Sequence, residues 1–239
     1  MAKFQRFHCL VSQKKLKKCG RFFLSFLVIF SAFTVFFRFV PIPFSSYMAQ
    51  QKIGHWLQGE NYPLNYQWVS LDNISPHMQL AVIAAEDQRF AQHNGIDWKA
   101  IESAFKHNQT SGRTRGGSTI SQQTIKNLYL WHGQSWLRKS IELPMTLTVE
   151  MLWSKQRLLE VYLNIAEFGQ GIFGVEAASR HYFKKSAKQL SRHEAALLAA
   201  VLPNPIIFHA DRPSRYVQKK QTWILKQMNQ LGMDYLNKL

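Results

Sequence analysis

The apolar positions of the chain change character at about residue 40. From Phe22 to Phe37 the run FFLSFLVIFSAFTVFF carries no charge, whereas later apolar residues come in shorter groups at helical spacings, separated by cap residues. Counted to Val40 the first run has nineteen residues. At about 1.5 Å per residue nineteen come close to the thickness of a hydrocarbon core, and Arg38 is near enough to the end to snorkel. The pattern predicts a transmembrane helix over 22–40. A cleaved signal peptide is the competing reading, but it needs a shorter apolar core and a small-x-small cleavage site, and RFVPIPFSS follows here.

Residues 41–70 hold three prolines and two tryptophans without a sustained period, and read as a juxtamembrane linker. Beyond them the punctuation is helical. Ser75 and Pro76 open PHMQLAVIAAEDQRFAQH, which is expected to close at Asn94 and Gly95. Asp97 can cap a helix to about His107, Thr119 with Gln122 has capping-box spacing, Ser135 can start another helix, and Ser191 with Glu194 is a second box ahead of AALLAAVL. A terminal amphipathic helix runs from Pro213 to Leu231 and stops at Gly232. No stretch alternates as a strand, so the fold class is all-α.

Charge sharpens the division. The chain has 30 Lys and Arg against 14 Asp and Glu, a net +16, and half of that excess lies in residues 1–40, which contain no acid. The basic tail 1–21 before an apolar span puts the tail in the cytoplasm and everything after residue 40 outside it. Phosphate-backbone binding by the tail is the alternative, and topogenic charge explains it more simply. Both cysteines, Cys9 and Cys19, sit in the tail, so the exported part has neither a disulfide framework nor a cysteine metal site.

Three segments carry candidate chemistry. In AVIAAEDQRFAQHNGID the acidic pair Glu86 and Asp87 ends an apolar run, and Phe90 and His93, four and seven residues on, would share Glu86's helical face. A carboxylate at an apolar edge suits a general base, although an ordinary solvated pair gives the same letters. In SGRTRGGSTISQQTIKN a glycine pair leads into Ser118 and Thr119 at a helix start, with Gln122, Gln123 and Lys126 within two turns, an arrangement that favours an anion. It is not a Walker A loop. In LRKSIELPMTLTVEMLW, Arg138 and Glu142 stand four apart and read either as an i, i+4 pair or as a phosphate-holding cation beside a second carboxylate or metal ligand. Pro144 would interrupt the bonding of this helix. Two further matches are decoys: GQGIFG follows a helix-like segment in a chain without a dinucleotide fold's alternating strands, and SAFK lacks the partner motifs of serine acyl transferases.

Taken in order, EDQRFAQHNGID, GGSTISQQTIKN, RKSIE, SKQRLLEVYLNIAEFGQGIFGVEAASRHYF and EAALLAAVLPNP resemble the peptidoglycan glycosyltransferases of family 51, in their monofunctional branch, over about residues 71–210. The resemblance implies a lysozyme-like, two-lobed glycosyltransferase domain over 71–239 behind one N-terminal transmembrane helix. It implies a single-pass protein of the bacterial cytoplasmic (inner) membrane with its catalytic domain on the periplasmic side. The reaction would polymerise lipid II into β-1,4-linked glycan strands and release undecaprenyl pyrophosphate. Glu86 would be the general base and Glu142 the second carboxylate. Lys126 and Arg138 would face the pyrophosphate, with Lys139, Gln123 and Asn127 in the cleft and Asp87, Phe90, His93, Ser118 and Thr119 shaping it. Leu143 and Pro144, where relatives commonly carry Ala and a continuous helix, put the local backbone beside Glu142 in question.

The resemblance also implies a divalent cation, Mg or Mn, with Glu142 as a possible ligand, and no organic cofactor. Partners on this reading are lipid II, the nascent glycan strand, membrane lipids and other cell-wall synthesis and division proteins, with no nucleic acid. Trp131 and Trp136, beside the basic block, would either touch the membrane or fill the core. Two rival functions share these features: a membrane-bound lytic muramidase, which needs no pyrophosphate site, and a non-catalytic scaffold for anionic polymers.

Overall fold

The computed structural model describes residues 13–110, 116–133 and 135–239; residues 1–12 of the basic tail and 111–115 of the glycine-rich segment lie outside the described residues. The chain divides into two units, Met1–Val40 and Pro41–Leu239. The first contains α1 (Gln13–Phe37), which begins within the basic stretch. Among the described residues no helix is long and apolar enough to cross a membrane.

The second unit is mostly helical. Its helices are α2 (Ser46–Leu57), α3 (Pro76–Glu86), α4 (Trp98–Thr110), α5 (Ile120–Tyr129), α6 (Trp136–Leu152), α7 (Lys155–Ile165), α8 (Val175–Phe183), α9 (Arg192–Val201) and α10 (Arg215–Leu231). The capping residues do what their chemistry suggests. Ser75 Oγ accepts from the His77 amide at 3.3 Å ahead of Pro76. Thr119 and Gln122 close a reciprocal box with bonds of 3.2 and 3.0 Å, and Ser191 and Glu194 close another. Asp97 Oδ1 accepts from the Ala100 amide at 3.0 Å to start α4.

The core lies around α3. Leu80 to Ala84 is buried on every side, as a helix apolar all round must be, and α3 packs against α9 and α10. The small residues Ala195, Ala196, Ala199 and Ala200 keep α9 thin enough for close approach. α10 is one-sided and buries Val217, Ile224 and Met228, while α5 packs on α7.

The structure corrects the sequence reading at four places. The first helix of the domain ends at Glu86 instead of Asn94: Asp87 leaves helical space (φ −157°, ψ 75°) because its carboxylate is drawn to partners elsewhere. Phe90 and His93 therefore do not continue Glu86's helical face; Phe90 belongs to a short 3₁₀ turn. Residues 41–70 contain α2 and a strand, so this stretch is not irregular throughout. α6 runs through Pro144 without a break.

The fourth correction is a small sheet in a domain read as all-α. β1 (Asn65–Tyr66) pairs in parallel with β3 (Ile172–Phe173), which pairs antiparallel with β2 (Glu167–Gly169) across an irregular register. The GQGIFG decoy is the β2–β3 turn and its exit. Gly174 has φ +82° and ψ 151°, where side chains are not tolerated, and a Cβ there would stand 2.5 Å from the Asn164 carbonyl oxygen. Gly174→Ala is expected to destabilise the protein by about 1 to 3 kcal/mol from the backbone alone, read as a lowered denaturant midpoint at unchanged slope. An unchanged midpoint would show that this corner relaxes freely.

Candidate active site

α3 delivers Glu86 at its last turn, and α5 runs past it. Gln123 Nε2 donates to Glu86 Oε2 at 2.8 Å, and the Gln123 carbonyl accepts from the Tyr162 hydroxyl at 3.3 Å. Tyr162 is buried. Burial first, and then the charges of Glu86 and Asp87, push its phenol well above the ordinary range, so it stays a donor. This fixes the Gln123 amide with its NH₂ toward Glu86.

Asp87 ties the other side together. It is 6% exposed, accepts the Ile120 amide at 3.1 Å, and lies 3.0 and 3.1 Å from His93 Nε2. One carboxylate thus joins the end of α3, the following loop and the N-terminus of α5. Phe90 is fully buried, and Lys155 Nζ sits 4.5 Å from its ring centre while donating to the His93 carbonyl at 2.6 Å. Thr119 donates to the Gly95 carbonyl at 2.6 Å.

Glu142 is only 2% exposed and is shared between Arg138 and Lys139, each in direct ion-pair contact with it. Arg138 Nε also donates to the Gly133 carbonyl at 3.0 Å. Lys126, on α5, is held below the usual lysine range by burial above all; the repulsion of Arg138 and Lys139 adds to this, and Glu142 and Glu86 oppose it. Burial above all, and then the charges of Lys126 and Arg138, push His132 down to about 4, so it is neutral at pH 7.

Three cavities surround these groups. The first, about 410 Å³, is lined by Glu86, Asp87, Ser118 and Thr119 together with Trp223 of α10. The second, about 250 Å³, is lined by Gln123, Lys126, Asn127, His132 and Glu167. The third, about 360 Å³, is mainly apolar; Trp98, Ile101, Phe105 and Leu143 line it, with Lys139 and Ser118. Of the expected site residues, Phe90 and His93 line none of the three and act as scaffold, while Arg138 and Glu142 form a buried pair beside α5.

Sequence reasoning missed Tyr162, Glu167, Lys220 and Trp223. Glu167 is buried and accepts from Tyr47 at 2.7 Å and Tyr62 at 2.8 Å. Its partners come from segments about a hundred residues away, and no local spacing marks them.

Among the described residues, Asp87, His93 and Asp97 stand close enough to share an ion. Each is engaged within the protein: Asp87 with His93 and the Ile120 amide, and Asp97 with Arg89 at 2.9 Å and with the Ala100 amide. Glu142, a possible ligand by the resemblance, is in contact with two cations.

A family model described as Transglycosylase matches residues 51–229. A biosynthetic peptidoglycan transglycosylase of Mannheimia succiniciproducens is 66% identical over 224 residues, covering 93% of this chain and 92% of the relative. Proteins of the same description from Pasteurella multocida and Haemophilus influenzae are 65% and 64% identical, covering 95% and 91% of this chain and 93% and 89% of themselves.

Proposed function

The chain belongs to the transglycosylase family and is a peptidoglycan glycosyltransferase, and from that premise we propose that it polymerises lipid II at the Glu86 site while anchored to the inner membrane. The observation that carries this is one helix, α5, holding the base by Gln123 and a buried cation, Lys126, one turn further on. This arrangement supports a base at one end of the displacement and a leaving-group stabiliser at the other.

On this reading Glu86 takes the proton from the acceptor's 4-hydroxyl. The oxygen attacks the anomeric carbon of the donor, the bond from that carbon to the pyrophosphate oxygen breaks, and α becomes β. Gln123 holds one carboxylate oxygen of Glu86, which sets the direction in which the other receives the proton. The departing pyrophosphate gains charge beside Lys126, and the Arg138–Glu142–Lys139 cluster, with two cations to one carboxylate, adds a net positive field. The cavities beside Glu86 and beside α5 support a lysozyme-like cleft. No step is routed through a metal. Incubating the purified chain with lipid II tests the proposal: glycan polymer supports it, and soluble fragments from finished wall instead would identify a muramidase.

Lys126 gives a second test. A lysine held below its ordinary pKa is strained when charged, so this penalty on folding applies in full below the folded pKa and is lost progressively as pH rises from there to the unfolded pKa. Lys126→Met is expected to raise thermal stability at pH 7 while reducing turnover at least tenfold, an effect typical of removing one transition-state donor. Loss of stability together with activity would instead make Lys126 structural.

The membrane anchor is proposed from the nineteen-residue run at 22–40 and from the exposed apolar side chains of α1, among them Leu24, Val28, Ile29 and Phe36. Trp131 and Trp136 are both exposed, Trp136 by 91%, and Leu137 beside it by 66%. This favours the membrane over the core for the two tryptophans. Chain lacking residues 1–40 should stay active in detergent, work poorly on bilayer-embedded substrate, and still sediment partly with vesicles. Vesicle binding that is unchanged by replacing both tryptophans would remove the second contact.

A further inference from the structure

Three observations put one face of α10, outside the five sequence motifs, at the catalytic cavity. Trp223 lines the same cavity as Glu86 and is 43% exposed. Four residues on, Gln227 Oε1 accepts a 3.0 Å hydrogen bond from Gln88 Nε2, and Gln88 is only two residues past Glu86. Three residues before Trp223, Lys220 is lowered by burial but feels the charge of Glu86 in the opposite sense. Positions 220, 223 and 227 share a helix face. The adjoining side of α10 is packed into the core through the buried Ile224 and Met228, so the indole is carried on a rigid support.

Apart from Ala84, Ala85, Ala100 and two glycines, the rest of this cavity wall is polar. Arg89, Gln92, Lys99, Ser103 and Ser118 offer donors and acceptors, and Trp223 is the one aromatic side chain among its described lining residues. A pyranose ring has a matching division, with a face of C–H groups and a rim of hydroxyls, whereas a phosphate would have no use for an indole. Trp also offers a large rigid surface with only two torsions to fix.

We infer that Trp223 is a stacking platform that binds a hexopyranose ring of the substrate beside Glu86. The inference rests on the glycosyltransfer reading above, and it assigns to the C-terminal helix a part in positioning the sugar.

The test uses full-length chain in detergent with two probes, lipid II and the sugar-free undecaprenyl pyrophosphate. Trp223→Leu keeps apolar bulk but lacks the aromatic face; Trp223→Tyr keeps a face. Trp223→Leu is expected to raise KM for lipid II about tenfold, equivalent to ~1.4 kcal/mol, and more than it lowers kcat. Trp223→Tyr should stay within about threefold of the unaltered chain, since aromatic stacking is worth about 0.5 to 1.5 kcal/mol. Affinity for undecaprenyl pyrophosphate should be the same in all three. An unchanged KM in Trp223→Leu, equal impairment in Trp223→Tyr, or equal loss toward the sugar-free probe would each overturn the platform. Equilibrium binding of labelled lipid II in the Glu86→Gln background gives the same comparison without turnover. Failure of the broader reading is distinguishable, because then the unaltered chain makes no polymer from lipid II.

Discussion

Replacing Glu86 with Gln is expected to lower the rate of glycan polymerisation by a factor of about 10² to 10⁴, the range over which general-base catalysis contributes. The substitution preserves size, and its amide oxygen can still accept the bond from Gln123, so the local structure has no reason to change. What disappears is basicity. The neighbouring carboxylate cannot replace it, because Asp87 is committed to His93 and the Ile120 amide. The measurement is initial rate with lipid II at saturating and sub-saturating concentration, alongside circular dichroism. Retention of wild-type rate by a folded Glu86→Gln protein would remove Glu86 from the base role.

Glu142→Ala is expected to destabilise the protein by about 3 to 5 kcal/mol, the usual result of leaving buried cations without their partner. Glu142 is almost fully buried and Arg138 beside it is 12% exposed, so solvent cannot substitute for the lost carboxylate. For a domain of this size such a loss corresponds to a fall in Tm of roughly 10 °C. There is a second consequence in activity. Glu142 is the largest opposing influence on the lowered Lys126, so its removal lowers Lys126 further and the alkaline limb of activity should move to lower pH. Glu142→Gln, which keeps hydrogen bonding, should retain more stability than Glu142→Ala but show the same displaced limb. An alkaline limb that stays in place in both variants would show that Lys126 does not titrate against this cluster.

What could be read from the sequence follows from how local each signal is. Caps at Ser75, Thr119, Ser135 and Ser191 are visible because a hydroxyl and an amide two or three residues away suffice to make them. The helix start at Ser45 was hidden because its box uses Met48, whose sulfur accepts from the Ser45 amide, in place of the usual Glu or Gln. The early end of α3 could not be read, since Asp87 is pulled out of the helix by an amide 33 residues away. The strands are two or three residues long, too short for any alternation to register. In the candidate site, the motif residues Glu86 and Gln123 are joined by a hydrogen bond, whereas Trp223 and Tyr162 enter through packing of distant helices.

α5 also behaves as a gauge. Gln123 and Lys126 are three residues apart, which sets the residue that holds the base and the partly buried cation about 4.5 Å from each other along the helix axis. Because Asp87 pins the start of this helix to the end of α3, the spacing is referenced to the residue next to the base. One residue inserted between Gln123 and Lys126 would turn the cation by about 100° around the axis and put proton removal and charge departure out of step. Inserting one residue after Tyr129 would leave the two in phase. The stretch from Gln123 to Lys126 is therefore where this enzyme should tolerate a change of length least, even though no bond is made or broken on the backbone there.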